Sequence, residues 1–327
     1  MVSPLSADTI QHLRAARVLD VETGNMLKDQ VIRIVDDRIE SIQPADQSRL
    51  ENLLDLGDVT VLPGLIDAHV HLIGDANAQG YGNLAASLPR NTLYGVKNAR
   101  DTLAAGFTAV RNVGAGGYAD VALRDAINAG DVPGPRMRVS GPSLGITGGH
   151  CDNNLLPPEA KQFSAGVADG ADEIVKVLRR NKKYGADVVK FCATGGVLSK
   201  GTSVGEQQYT DEEMKAIVDE SHRRGLKVAA HAHGAQGIIA AIKAGVDSVE
   251  HASLIDDEGI RLAAEYGTTL VMDIFVSDYI LQGGEAAGFL PESLAKECMV
   301  GAAQRESFRR AHAAGVNLAF EIGRAHV

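Results

Sequence analysis

From Gly64 onward the chain repeats one pattern: an amphipathic stretch, a glycine, and a short apolar run. Gly106 precedes Phe107 to Val110, Gly185 precedes Ala186 to Phe191, and Gly225 precedes Leu226 to His231. Gly245 precedes Val246 to His251, Gly267 precedes Thr268 to Met272, and Gly315 precedes Val316 to Phe320. A glycine in that place marks the end of a helix, where the chain leaves through a left-handed residue. Each apolar run after it reads as a strand. With Leu62 to His71 and Met137 to Gly141 added, the pattern predicts eight strands joined by helices, the repeat of an α/β fold of the (β/α)8 TIM-like barrel type over residues 61–320. One helix is legible in detail. Over Asp211 to Arg224, Thr210 and Glu213 make a capping-box pair, Met214, Ile217 and Val218 form the apolar stripe, and Gly225 ends it. Residues 1–60 have another texture: the β-like pieces Ala15 to Leu19, Val31 to Val35, Ile39 to Ile42 and Val59 to Leu62, separated by turns such as Thr23-Gly24-Asn25 and Asp36-Asp37. They predict a small, partial N-terminal β-sandwich domain.

Composition narrows the partners. The 327 residues carry 32 basic against 42 acidic side chains, with no Lys/Arg block, which argues against nucleic acid or an anionic membrane and for a small-molecule substrate. No apolar segment approaches the ~20 residues of a membrane span, and Asp8, Arg14, Arg17 and Asp20 stand where a signal peptide would be apolar. The three cysteines, Cys151, Cys192 and Cys298, show no C-x-x-C spacing, so neither a disulfide framework nor a zinc ribbon is expected, and the chain reads as cytoplasmic. Assembly as a homo-oligomer stays open.

The candidate chemistry falls at strand ends. In Pro63-Gly64-Leu65-Ile66-Asp67-Ala68-His69-Val70-His71, two histidines sit two residues apart, and on a strand side chains at i and i+2 share a face, so both imidazoles can aim at one metal ion. Lys190, His231 and His251 close the fourth, fifth and sixth predicted strands. In such barrels chemistry collects at the C-terminal strand ends. A lone strand-end histidine is more often a hydrogen-bonded structural residue, but the coincidence of these positions reverses that preference. His233, one strand step beyond His231, could serve the same pocket.

Those residues, in the run Val61 to Leu72, in Val188-Val189-Lys190-Phe191-Cys192-Ala193-Thr194-Gly195-Gly196, in Ala230-His231-Ala232-His233 and in Val249-Glu250-His251-Ala252, resemble the amidohydrolase superfamily. Within it the likeness is to imidazolonepropionase-like proteins and the binuclear Xaa-Pro dipeptidase and acyl-amino-acid hydrolase group. The resemblance implies a metal-dependent hydrolase barrel with two divalent metal ions, usually zinc. His69 and His71 would hold one ion and His231 and His251 the other, with a carboxylated Lys190 bridging them. A metal-bridging hydroxide would then attack the amide carbonyl. It also implies that Tyr209 polarises the scissile carbonyl and that His150, in a glycine-rich loop, contacts the substrate carboxylate. The loops Gly145 to Asp152 and Gly195 to Gly205 should shape the pocket.

The departure comes after strand 8, where the family pattern expects Gly-Thr-Asp and its aspartate serves as metal ligand and general base. Here the chain reads Glu321-Ile322-Gly323-Arg324-Ala325-His326-Val327, with Gly323 at the aspartate's place. No catalytic residue is therefore assigned, and the barrel is expected to be incomplete after strand 8. Glu321 stands two residues early and is not expected to substitute; His326 less so. Residues 321–327 read as a non-native tail, since one back-translation, GAG ATC GGA AGA GCA CAC GTC with the stop TGA, resembles the start of a common sequencing adapter. The leading expectation is hydrolysis of amide C–N bonds in small N-acyl amino acids or dipeptides, with little or no turnover by this chain as it stands. The alternatives are a mononuclear imidazolonepropionase- or deaminase-type cyclic amide hydrolase, in which Lys190 has no bridging role, and a catalytically dead fragment acting as a binding protein.

Overall fold

The computed structural model describes residues 9–46 and 50–322. The chain divides into two compact units at Gly64. The first holds β1 (Ile10–Leu19), β2 (Met26–Val35), β3 (Arg38–Pro44), β4 (Leu53–Asp55) and β5 (Thr60–Val61). They form one sheet in the order β3-β2-β1-β4, with β5 also paired to β1. The β1–β2 turn closes on Asp20, whose carboxylate accepts from the Glu22 amide and the Thr23 hydroxyl. The core of this unit is small: Ala15, Val18 and Ile32, packed with Leu13, Ile34 and Val61.

The second unit alternates strand and helix. Its strands are β6 (Leu65–Val70), β7 (Phe107–Asn112), β8 (Arg136–Val139), β9 (Val188–Cys192), β10 (Lys227–Gly234), β11 (Ser248–Leu254), β12 (Thr269–Met272) and β13 (Leu318–Phe320). Between them lie α1 (Leu88–Ala104), α2 (Ala119–Ala129), α3 (Ala171–Lys183), α4 (Asp211–Arg223), α5 (Ala235–Ala244) and α6 (Asp257–Tyr266). Two helices, α7 (Val276–Gly283) and α8 (Pro291–Ala313), separate β12 from β13. The strands make two parallel sheets, β6-β7-β8 and β13-β12-β11-β10-β9. Backbone bonds link them at one side, where the Asp187 amide donates to the Val139 carbonyl (2.8 Å) and the Leu144 amide to that of Lys190 (2.8 Å). At the other side the Ile322 amide donates to the Asp67 carboxylate (3.2 Å), and Phe107 stacks on Phe320. The arrangement is α/β and TIM-barrel-like. Among the described residues no helix is long and apolar enough to cross a membrane.

The local signals act as their chemistry requires. Gly106, Gly185, Gly225, Gly245, Gly267 and Gly315 all have positive φ, from 69° to 98°, where a side chain would clash with its own backbone. The α4 capping box forms with both of its bonds, and Met214, Ile217 and Val218 are buried. The larger core packs β9 to β12 against α3 to α6 around Phe191, Met214, Ile238, Val249 and Leu270. A second core packs β6 to β8 against α1 and α2 around Val70, Leu72, Ala99, Val110 and Leu123.

Candidate active site

The site is assembled from the C-terminal ends of the parallel strands. His69 is buried near the end of β6 and His71 follows it, so the two-residue period brings their Nε2 atoms to 3.3 Å of each other. His69 Nδ1 lies 2.8 Å from Glu250 Oε2 on β11. An ionised carboxylate only accepts, so Nδ1 carries the hydrogen and Nε2 keeps its lone pair. Glu250 is itself clamped by two 2.8 Å bonds from Arg111 Nη2 on β7 and by the Ser248 hydroxyl. A carboxylate behind a histidine is the usual support of a metal ligand.

The other donors close around this pair. His231 and His233 share a face of β10, with ring centroids 4.7 Å apart. His251 of β11 lies 4.6 Å from His231, 5.0 Å from His233 and 4.9 Å from His69 by the same measure. Its backbone has φ of 70°, and that of Ala252 49°, a left-handed kink that non-glycine residues avoid and that recurs at functional sites. His150 stacks 4.1 Å from His231, and the His233 Nδ1 pairs with the Ser253 hydroxyl at 2.8 Å. Lys190 is buried on β9. All seven line one cavity of about 290 Å³, together with Val197 and Leu198 of the glycine-rich loop after β9.

The residues fit divalent metal ions. Among the described residues, Lys190 Nζ, His231 Nε2 and both oxygens of Glu321 are buried without a hydrogen-bond partner. Buried polar atoms are normally satisfied, and nitrogen and carboxylate donors converging without partners are what a cation would complete. Two overlapping groups, His231–His233–His251 and His69–His251–Glu321, each bring one ligand atom per residue within 4.8 Å of the others. Burial, reinforced by neighbouring positive groups, drives the His69, His231 and His233 imidazolium forms well below the ordinary pKa, which leaves the neutral, ligating form. Burial lowers His150 to about 3 and Lys190 to about 8. It pushes Glu321 well above the carboxylate range, with Asp273 and Glu250 repelling its charge.

Two expectations need correction. Tyr209 is not at the cavity: it is buried in the larger core edge-on to Phe191, and its hydroxyl donates to the Ala168 carbonyl at 3.1 Å. Burial of the phenol raises its pKa. Cys151 and Cys192 form a disulfide that lines the cavity. They are 41 residues apart, and a local spacing rule cannot see a pairing made when the loop after β8 folds against the end of β9. Glu321, two residues before the place of the family's aspartate, is 2% exposed, with Oε1 3.3 Å from His69 Nδ1 and 3.5 Å from His251 Nδ1. Gly323 and His326 lie outside the described residues.

Other contributors went unsignalled. Asp273, just past β12, approaches His251 Nδ1 at 3.1 Å, and Glu297 and Gln304 of α8 line the cavity. A larger hollow of about 960 Å³ at the N-terminal strand ends, lined by residues such as Arg138, Lys227 and Asp247, contains neither histidine nor cysteine.

A model of the amidohydrolase family matches residues 60–323. Ochratoxinase of Aspergillus niger is 35% identical over 283 residues, covering 79% of this chain and 57% of the fungal protein, so the chain spans little more than half of that relative. A solved Xaa-Pro dipeptidase with methionine bound in its active site gives a TM-score of 0.87 at 34% identity, covering 96% of this chain and 79% of that one. A prolidase complexed with N-methylphosphonate-L-proline gives 0.86 at 33% identity, covering 96% and 78%.

Proposed function

The chain belongs to the amidohydrolase family, and from that premise we propose that it hydrolyses amide C–N bonds in small substrates, either Xaa-Pro-type dipeptides or N-acyl amino acids, with two divalent metal ions. The observation that carries the reading is the cavity in which Lys190 Nζ and His231 Nε2 meet without partners beside His69, His71 and His251, with the unpartnered Glu321 carboxylate reaching His69 and His251 from just past β13. In this reading the eight strands form one closed (β/α)8 barrel. His69 and His71 would hold one ion and His231 and His251 the other; nitrogen and oxygen donors suit zinc. Lys190, lowered to about 8 by burial, gives up its proton more readily than an ordinary lysine, and the lone pair of the neutral amine would add to the carbon of carbon dioxide. With loss of a proton this would give an anionic carbamate, a group able to serve both ions. When bound, the ions supply a hydroxide near neutral pH and polarise the scissile carbonyl.

The protein's own groups do the rest. Glu250 holds His69 in its ligating tautomer. Glu321 would take the role of the family's strand-8 carboxylate: burial favours its protonated form without ions, and a bound cation would restore the charged form, which could accept the proton of the attacking water and return it to the departing nitrogen. His150 and His233, neutral and facing the same cavity, offer N–H donors to the substrate's oxygens.

Metal analysis tests this. The sequence predicts little or no turnover because the strand-8 aspartate is missing; the Glu321 carboxylate beside His69 and His251 supports the opposite outcome, so the purified chain is expected to hold about two ions, to lose the bridged pair in Lys190→Ala, and to hydrolyse members of an Xaa-Pro and N-acyl-amino-acid panel in a metal-dependent way. One ion per chain, unchanged in Lys190→Ala, would instead support a mononuclear cyclic amide hydrolase. Two ions with no hydrolysis across the panel would support a binding protein.

A further inference from the structure

Beside the histidines the cavity carries a group that metal ligation does not use. Glu297, Val300 and Gln304 of α8, spaced three and four residues apart on one helix face, line it together with Asp273. Asp273 is already engaged: its Oδ1 accepts the Gln304 side-chain N–H, and its Oδ2 faces His251. Glu297 is 2% exposed, and its Oε1 accepts a single side-chain bond, from the Ser277 hydroxyl of α7. The adjacent Lys296 sends its ammonium elsewhere, to the Gly196 and Ser199 carbonyls. Burial raises the Glu297 carboxyl above its ordinary range, with Asp273 adding to the rise and the Ser277 bond and His251 opposing it. A buried carboxylate normally faces a cation or several donors.

We propose that Glu297 binds the free α-ammonium group of the substrate, so that dipeptides with an unblocked N-terminus are preferred over N-acyl amino acids. This rests on the hydrolase reading above, which left the two classes open. In a dipeptide the ammonium sits on the carbon next to the scissile carbonyl, so its partner must line the same cavity as the groups facing that carbonyl. Glu297 does. The volume of about 290 Å³ suits a ligand of that size.

The probes are L-alanyl-L-proline and N-propionyl-L-proline, which differ only in the ammonium. The metal-loaded chain is titrated calorimetrically with each, and kcat/KM is measured for each. The wild type is expected to favour alanyl-proline, and Glu297→Gln to weaken it about 10- to 100-fold while changing N-propionyl-proline less than about 3-fold, as loss of a charged hydrogen bond implies. Equal effects on both probes, no effect on either, or binding of neither overturns the proposal. Binding of alanyl-proline through Glu297 without hydrolysis would refute the hydrolase reading and keep this one. If Glu297→Gln fails to fold, as judged by metal content and melting temperature, Ser277→Ala is the second arm. It frees Oε1 and should erode the same preference about 3- to 10-fold; an unchanged preference overturns the assignment.

Discussion

At the scale of single residues, the quality of the site depends on side chains that touch no substrate. Glu250 fixes the His69 tautomer across 2.8 Å, and Arg111 holds that carboxylate in place with two bonds of the same length. Glu250→Gln preserves size but removes the charge that holds the imidazole N–H. Metal affinity, followed by competition with a fluorescent chelator, should fall 10- to 100-fold, the usual cost of losing such a support; an unchanged affinity would mean that His69 is not a ligand. These facts also mark what the sequence could disclose. His69 and His71 are legible because a two-residue strand period is local. Glu250 lies 181 residues from His69, and only the fold makes them partners. The same blindness explains Glu321, whose carboxylate reaches the imidazoles although it is displaced from the family's register. It explains Tyr209 in reverse: a tyrosine before a helix enters the core or the cavity according to backbone direction, which spacing does not encode.

At the scale of elements, glycine-punctuated alternation was legible because each signal, from capping box to C-terminal glycine, is satisfied within a few residues. The helices between β12 and β13 were not. In α8, polar side chains such as Ser293, Glu297 and Gln304 occupy the buried face, so apolar periodicity is weak where function is dense. The packing of α3 on α4 gives a measurable case. Glu220 of α4 accepts from Arg179 of α3 (2.8 Å), from Arg223 (2.9 Å) and from Arg224 (2.6 Å). The Arg179 and Arg224 bonds hold its carboxyl at about 2, below the ordinary 4.5. A folded-state pKa below the unfolded one adds stability in full above pH 4.5, and this is lost as pH falls toward 2. The arginines are largely exposed, so solvent screening limits the contribution to about 1 kcal/mol. Glu220→Gln should therefore lower the unfolding free energy by about that much at pH 6 and by roughly half as much at pH 3. Urea denaturation of both proteins at the two pH values is the check, and a difference independent of pH would assign the effect to packing.

At the scale of the whole molecule, the second unit concentrates an unusual load: His69, His231, His233, Lys190, Glu250 and Glu321 are all buried at the ends of its strands. Without cations, imidazole nitrogens and an amine face one another across a small cavity with the Glu321 carboxyl beside His69 and His251, and burial disfavours their charged forms. Ions that bind the folded state alone stabilise it by mass action, by about 4 kcal/mol at a thousand times the dissociation constant. For a unit of this size that corresponds to roughly 10 °C in melting temperature. Chelation should thus lower the melting temperature by about that amount, reversibly on readdition of zinc. Hydrogen exchange should locate the change: the backbone around His69, Lys190, His231 and His251 loses protection, while β1 to β3, whose core is Ala15, Val18 and Ile32, exchanges as before. Loosening spread evenly over both units would point to general destabilisation. No change at the four strand ends would mean that these side chains are buried together without an ion between them, and the hydrolase reading would lose the centre on which it is built.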